Sequence, residues 1–160
     1  MSRSSQEVLV AALCCAMERL EPLWWEQHGM CKAEEASEFL RLHLVPSALA
    51  LLRSEKMRKR WLAYVLYQKT MLYGREENPG QFLSDTGHIL DLIAAHGNPH
   101  EIMTHLIRRD RAETLYELGL GARAVEEMKR SLADPGWNLP DYHEADHEEN
   151  RALLAKFTKA

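Results

Sequence analysis

Residues 143–147 read His-Glu-Ala-Asp-His, inside the stretch DYHEADHEEN. On a helix, H-E-x-x-H places two imidazoles at i and i+4 on one face, where both can ligate zinc. The intervening Glu144 is then free to polarise a metal-bound water. The chemistry raised is metal-assisted hydrolysis, with His143 and His147 as ligands and His96, His100 or His105 as a donor from elsewhere. Zinc catalysis needs three protein ligands and one open position. The chain continues EENRALL after His147 with no further histidine, and Glu148 and Glu149 are too near to swing round to the same metal. Asp141, Glu144, Asp146, Glu148 and Glu149 make the segment strongly acidic, and acids in a first helical turn complement the helix dipole. A solvated terminal helix is therefore the leading reading. No cofactor is expected, with zinc or another divalent metal on His143 and His147 as the alternative.

Two further groups of residues could recognise a ligand. Lys56, Arg58, Lys59 and Arg60 form a basic patch beside Trp61, Tyr64 and Tyr67, and RRDR at 108–111 forms a second one. Cations near a helix start oppose the dipole, whereas basic residues interleaved with aromatics can grip phosphates and stack bases. The same residues can bind an acidic protein. Trp24 and Trp25 are adjacent, so on a helix they point about 100° apart and cannot fill one core direction; one of them suits an interface. Trp24, Trp25, Trp61, Tyr64 and Tyr67 are thus the candidate partner contacts. Cys14 and Cys15 lie on an apolar stretch with no His or Lys within a helical turn, which favours packing over thiol reactivity. The sequence contains no Gly-rich phosphate loop, CxxC pair or nucleophile elbow.

These groups need elements to position them, and the chain punctuates itself into helices. Ser4-x-x-Glu7 is a capping box, followed by Val10, Leu13, Met17, Leu20 and Trp24 at helical spacing. Pro22 predicts a kink or restart and Gly29 an end. A second helical stretch is expected over 32–44, a new start at Pro46, and a third long pattern stopped by Gly74. Asn78-Pro79 and Asn98-Pro99 both read as helix starts, the second with Glu101 completing a capping box. Gly97 and Gly119 suit helix ends. A helix over 122–133 stops before Asp134-Pro135-Gly136, and Asp141-x-x-Glu144 caps a last helix over 142–157. No stretch alternates as a half-buried strand would. The expected fold is all-α, a bundle of six to eight helices in a single domain spanning 1–160.

The 160 residues suffice for one core, and 46% hydrophobic with 28% charged residues is ordinary globular composition. A net charge of −4 gives no global case for nucleic-acid binding. Three cysteines, two of them adjacent, form no disulfide framework, which favours a reducing compartment, and no apolar run reaches the roughly 18 residues of a membrane span. A cytoplasmic location without a membrane partner is expected.

Residues 111–135, RAETLYELGLGARAVEEMKRSLADP, resemble a tetratricopeptide unit. Gly119 stands at the inter-helix turn, Ala124-x3-Met128 in the second helix, Pro135 at the close, and Ala112 and Leu115 suit the first helix. Arg108 and Arg111 depart from the pattern, because they occupy positions where the family has Trp and Leu, and the closing proline comes one residue early. No second copy follows at a 34-residue shift. The resemblance implies a protein-binding scaffold rather than an enzyme. The leading expectation is a non-enzymatic helical module that binds another protein, as an adaptor, chaperone or small regulatory subunit, with homo-oligomerisation open. The alternatives are a metal-binding helical protein using His143 and His147, including a hydrolase, and a small subunit of a nucleic-acid-binding complex using the basic residues 56–60.

Overall fold

The structure is a computed structural model and describes residues 3–25, 37–53 and 59–159. All regular structure among them is helical. The α-helices are α1 (Arg3–Trp25), α2 (Val45–Arg53), α3 (Lys59–Tyr73), α4 (Pro79–His96), α5 (Thr104–Glu117), α6 (Gly121–Leu132) and α7 (Glu144–Thr158). The all-α expectation therefore holds. By its contacts the chain divides into two compact units, residues 1–74 with 87–100, and residues 75–86 with 101–160.

The first unit packs α1, α2 and α3 around Val10, Cys14, Met17, Leu40, Val45, Ala48, Leu52, Tyr64 and Val65. Val10, Cys14 and Met17 recur at helical spacing, so one stripe of α1 supplies its share of the core. The adjacent cysteines separate accordingly: Cys14 is buried and Cys15 exposed. α1 runs through Pro22 to Trp25 without interruption. The expected new start at Pro46 takes a different form. Residues 37–39 are helical and pass through a π-helical turn, Leu40–Leu44, directly into α2. The backbone N–H of Val45 reaches back to the Leu40 carbonyl. A wider turn relieves the clash a proline ring makes with the preceding turn of an α-helix, and Pro46 needs no N–H acceptor there. The capping box at Ser4 and Glu7 and the helix end at Gly29 lie outside the residues whose side chains or backbone are described.

The second unit is built on α5, α6 and α7. Asn78 caps α4 as its sequence predicts, with Oδ1 accepting the Gln81 N–H at 3.0 Å. Gly97 ends the same helix at φ +83°. The start predicted at Asn98-Pro99 does not form. Pro99 and His100 make a turn, Glu101 takes φ +51°, and α5 begins only at Thr104. Two anchors set that later start. Ile102 is buried, and the Thr104 hydroxyl donates to Asp134 Oδ2 at 2.6 Å. Gly119, at φ +75°, turns the chain from α5 into α6, a conformation that would strain any residue with a β-carbon. Ala112, Leu115, Ala124, Met128 and Phe157 form the core between the hairpin and α7. Small alanines at the crossing let the helices approach, and Met128 fills the space between them.

Candidate interaction site on the α5–α6 hairpin

The turn of the hairpin reads Leu118-Gly119-Leu120-Gly121. Leu118 and Leu120 are 47% and 40% exposed, in a segment where turn chemistry normally favours polar residues. Beside them opens a recess of about 480 Å³, with Tyr116, Leu153 and Phe157 among its walls and Gly119 and Gly121 at its edge. The Tyr116 and Phe157 rings stack with centroids 4.7 Å apart, and Lys156 Nζ lies 5.1 Å from the Tyr116 centroid. Tyr116 is half-buried and Phe157 buried, so the stack joins the core to the recess. Glu113 and Glu117 border the same opening. Glu113 is engaged from two sides, by Arg75 at 2.7 Å and Arg109 at 3.3 Å. Glu117 lies 3.7 Å from Arg75 and stays 60% exposed. Burial pulls the Arg75 guanidinium down, but the hydrogen bond and charge of Glu113, with Glu117 and Asp110, outweigh it and raise its pKa.

On another side of the hairpin a single buried carboxylate organises the arginines. Glu127 Oε1 accepts from Arg108 Nη1 at 3.1 Å, and Arg111 Nε stands 3.5 Å from the same oxygen. Arg130 Nη1 lies 3.9 Å from Oε2. Arg111 also donates through Nη1 to the Leu83 carbonyl at 2.6 Å and to Thr86 Oγ1 at 2.7 Å, pinning the start of α4 to α5. Burial lowers the Arg111 pKa, opposed by Glu127. Arg108 and Arg111 are thus accommodated by a carboxylate on the opposing helix. The basic run at 108–111 is not a free cationic surface, since Arg109 is likewise engaged by Glu113 and by Glu149 at 2.8 Å.

A third cluster closes the far end of the unit. His105, in α5, pairs through Nε2 with the Tyr142 hydroxyl at 2.7 Å, and its ring meets Trp137 and Tyr142 edge-on. The Ser131 hydroxyl donates to the His105 carbonyl at 2.7 Å and accepts from Trp137 Nε1 at 3.3 Å. Asp134 opens a 3-10 turn over Pro135–Asn138 by accepting the Gly136 N–H at 2.9 Å. His105, Ser131 and Trp137 are buried, so the cluster is packed rather than open to substrate.

The residues singled out from the sequence are dispersed. Tyr64 and Tyr67 are 3% and 5% exposed, and Tyr64 belongs to the first unit's core, so neither ring is presented at the surface. Trp61 is half-buried, and its ring and that of Tyr64 each lie 4.8 Å from the His100 ring. Trp24 and Trp25 end α1, and Lys59 and Arg60 begin α3, but their side chains lie outside the described residues, as do Lys56 and Arg58 altogether. His143 and His147 do not form the helical pair that H-E-x-x-H requires. His143 is the extended N-cap of α7 at φ −108° and ψ 172°, and its N–H is capped by Asp146 Oδ2 at 2.7 Å. The cap predicted at Asp141 and Glu144 is thus shifted by two residues. His147 instead turns toward Trp137, with centroids 6.4 Å apart. Among the described residues no group of three or more His, Cys, Asp or Glu is placed to hold a metal ion.

Tyr116, Leu118, Leu120, Glu127 and Phe157 were not among the sequence candidates. The leucines flanking Gly119 carried a usable signal, being apolar residues in a predicted turn. Tyr116 and Phe157 carried none, because they are far apart in sequence and meet only through packing. No helix among the described residues is long and apolar enough to cross a membrane. The chain matches no protein-family model, and no curated protein or solved structure is significantly similar to it.

Proposed function

We propose that this chain is a non-catalytic helical interaction module that binds another protein through the turn end of the α5–α6 hairpin. One observation carries the reading: the recess over the stacked Tyr116 and Phe157 rings is lined also by Gly119, and the leucines on either side of that glycine in the chain, Leu118 and Leu120, are exposed. Apolar side chains held in water cost roughly 25 cal/mol per Å² relative to burial, so a partner that covers both leucines gains from each. An aromatic floor adds contact area with little conformational freedom to lose, which is why aromatics recur at binding hot spots. Glu117, exposed at the rim, favours a partner with a basic residue beside its apolar anchor. The resemblance of residues 111–135 to a tetratricopeptide unit, a fold used as a protein-binding scaffold, supports the same reading.

The test compares the wild-type chain with the double variant Leu118→Glu/Leu120→Glu as bait in native lysate. Both positions are exposed, so the variant should keep the wild-type thermal transition. A protein retained by the wild type and lost by the variant, and then shown to bind directly when purified, is the expected result. Identical capture by both baits would refute the site.

A further inference from the structure

Four guanidinium groups gather on the α5–α6 hairpin around one buried carboxylate. Arg108 and Arg111 approach Glu127 Oε1 at 3.1 and 3.5 Å, Arg130 approaches Oε2 at 3.9 Å, and Arg123 is close enough to Arg111 for their charges to interact. The other nearby acid, Glu126, is matched by Lys129 at 3.3 Å. Positive charge is therefore in clear excess over what Glu127 can neutralise. That excess borders a recess of about 380 Å³ that Arg111, Arg123 and Arg130 line together with Leu115, Ala122 and the carboxylates Glu126 and Glu127. Arg123 and Arg130 are exposed, and neither is needed to hold Glu127, which Arg108 and Arg111 already engage at shorter distances. Repulsion between neighbouring guanidiniums disfavours such a grouping, and a further anion beside Glu127 would relieve it.

We infer that this recess is a binding site for a phosphomonoester group, held by Arg123 and Arg130 at its mouth with Arg111 behind them. A phosphomonoester carries about −1.5 to −2 charge at neutral pH, which matches a surplus that one further carboxylate would leave unmet. Guanidinium forks match phosphate oxygens in bidentate geometry. Ala122 and Arg123 also lie in the first turn of α6, whose N-cap, Leu120, offers no side-chain acceptor, so the positive end of the helix dipole adds to the arginines. The volume stands at the low end of small-ligand sites and suits one compact group. A nucleic-acid backbone is disfavoured, because Glu126 and Glu127 interrupt the basic lining of the recess and the chain carries a net charge of −4.

This site lies on a different side of α5 from the Tyr116 recess and uses other residues, so it stands independently of the interaction reading. The test titrates the intact chain with inorganic phosphate and, in parallel, with O-phosphoserine, following backbone amide resonances at constant ionic strength set with sodium chloride. Saturable shifts centred on Leu115, Ala122 and Arg123 are expected, with affinity weakened at least tenfold in Arg123→Gln/Arg130→Gln. That variant alters only exposed side chains, and an unchanged thermal transition confirms that it is folded. Tighter binding of O-phosphoserine would indicate a peptide-borne group, and equal binding a free phosphate. Shifts that do not saturate, equal binding of acetate, or affinity indifferent to the double variant would overturn the inference. So would binding of a single-stranded DNA oligomer without saturable phosphate shifts, which would replace the compact site with a polyanion surface.

Discussion

Gly136 lies against the imidazole of His105 so closely that a β-carbon at position 136 would collide with the ring at Nδ1, Cε1 and Cγ. The contact is fixed from several sides. Asp134 holds the Gly136 N–H, the Ser131 hydroxyl holds the His105 carbonyl, and Tyr142 holds the far ring nitrogen. A glycine in this 3-10 turn is thus required by close approach of a side chain rather than by an unusual backbone angle.

Gly136→Ala should destabilise the second unit. The ring cannot retreat without losing its 2.7 Å pairing with Tyr142, and the turn cannot shift without losing the Asp134 cap. Overpacking of this kind costs about 1–3 kcal/mol. Denaturant unfolding followed by backbone amide resonances of the second unit should show a lower midpoint, and an unchanged midpoint would mean that the ring has room to move.

Stability should fall as pH drops below about 6.5 because of His105. Burial lowers its pKa in the folded chain, only partly offset by the charge of Asp134, whereas the unfolded chain titrates near the ordinary value. The unfolded state therefore binds the proton more readily. Neutral His105 gives its full contribution above the unfolded value, and that contribution is lost as pH falls toward the folded value. One proton limits the slope to about 1.4 kcal/mol per pH unit. Asp110 acts in the opposite sense at lower pH, since burial raises its pKa and protonation favours the fold. The difference between wild type and His105→Gln, measured from pH 5 to 7.5, isolates the histidine. Parallel curves for the two proteins would contradict the assignment.

Local signals in the sequence were legible wherever a backbone group is satisfied within a few residues. Asn78 caps α4 and Gly97 ends it because both effects are complete inside one turn. Asn98-Pro99 carries the same local signal and fails, because Ile102 and the Thr104–Asp134 hydrogen bond impose a later start from outside the segment. The same distinction governs the sites. The H-E-x-x-H string fixes five residue types but not the conformation of its first histidine, which Asp146 claims as an N-cap. Arg108 and Arg111 read as a basic run because their counter-charge, Glu127, comes from the next helix. Tyr64 and Tyr67 read as candidate contacts because the sequence does not reveal that α3 is buried over most of its middle turns rather than along one stripe, which takes both rings inside.

Asn150→Leu should stabilise the second unit. Asn150 is fully buried on the face of α7 that continues to Leu153, Leu154 and Phe157, and neither its amide oxygen nor its nitrogen has a hydrogen-bonding partner. A buried polar group without partners carries a desolvation penalty of about 1–3 kcal/mol. Leucine has a similar volume, removes that penalty, adds apolar contact with its neighbours one turn along, and has higher helix propensity. The gain expected is on the order of 1 kcal/mol, visible as a higher denaturation midpoint with an unchanged denaturant slope. Asn150→Asp provides the opposing control, because a carboxylate there would be buried without a cation and should lower the midpoint. If leucine lowered the midpoint as well, the amide would have to be satisfied in solution, and its burial would then count toward the stability of the fold.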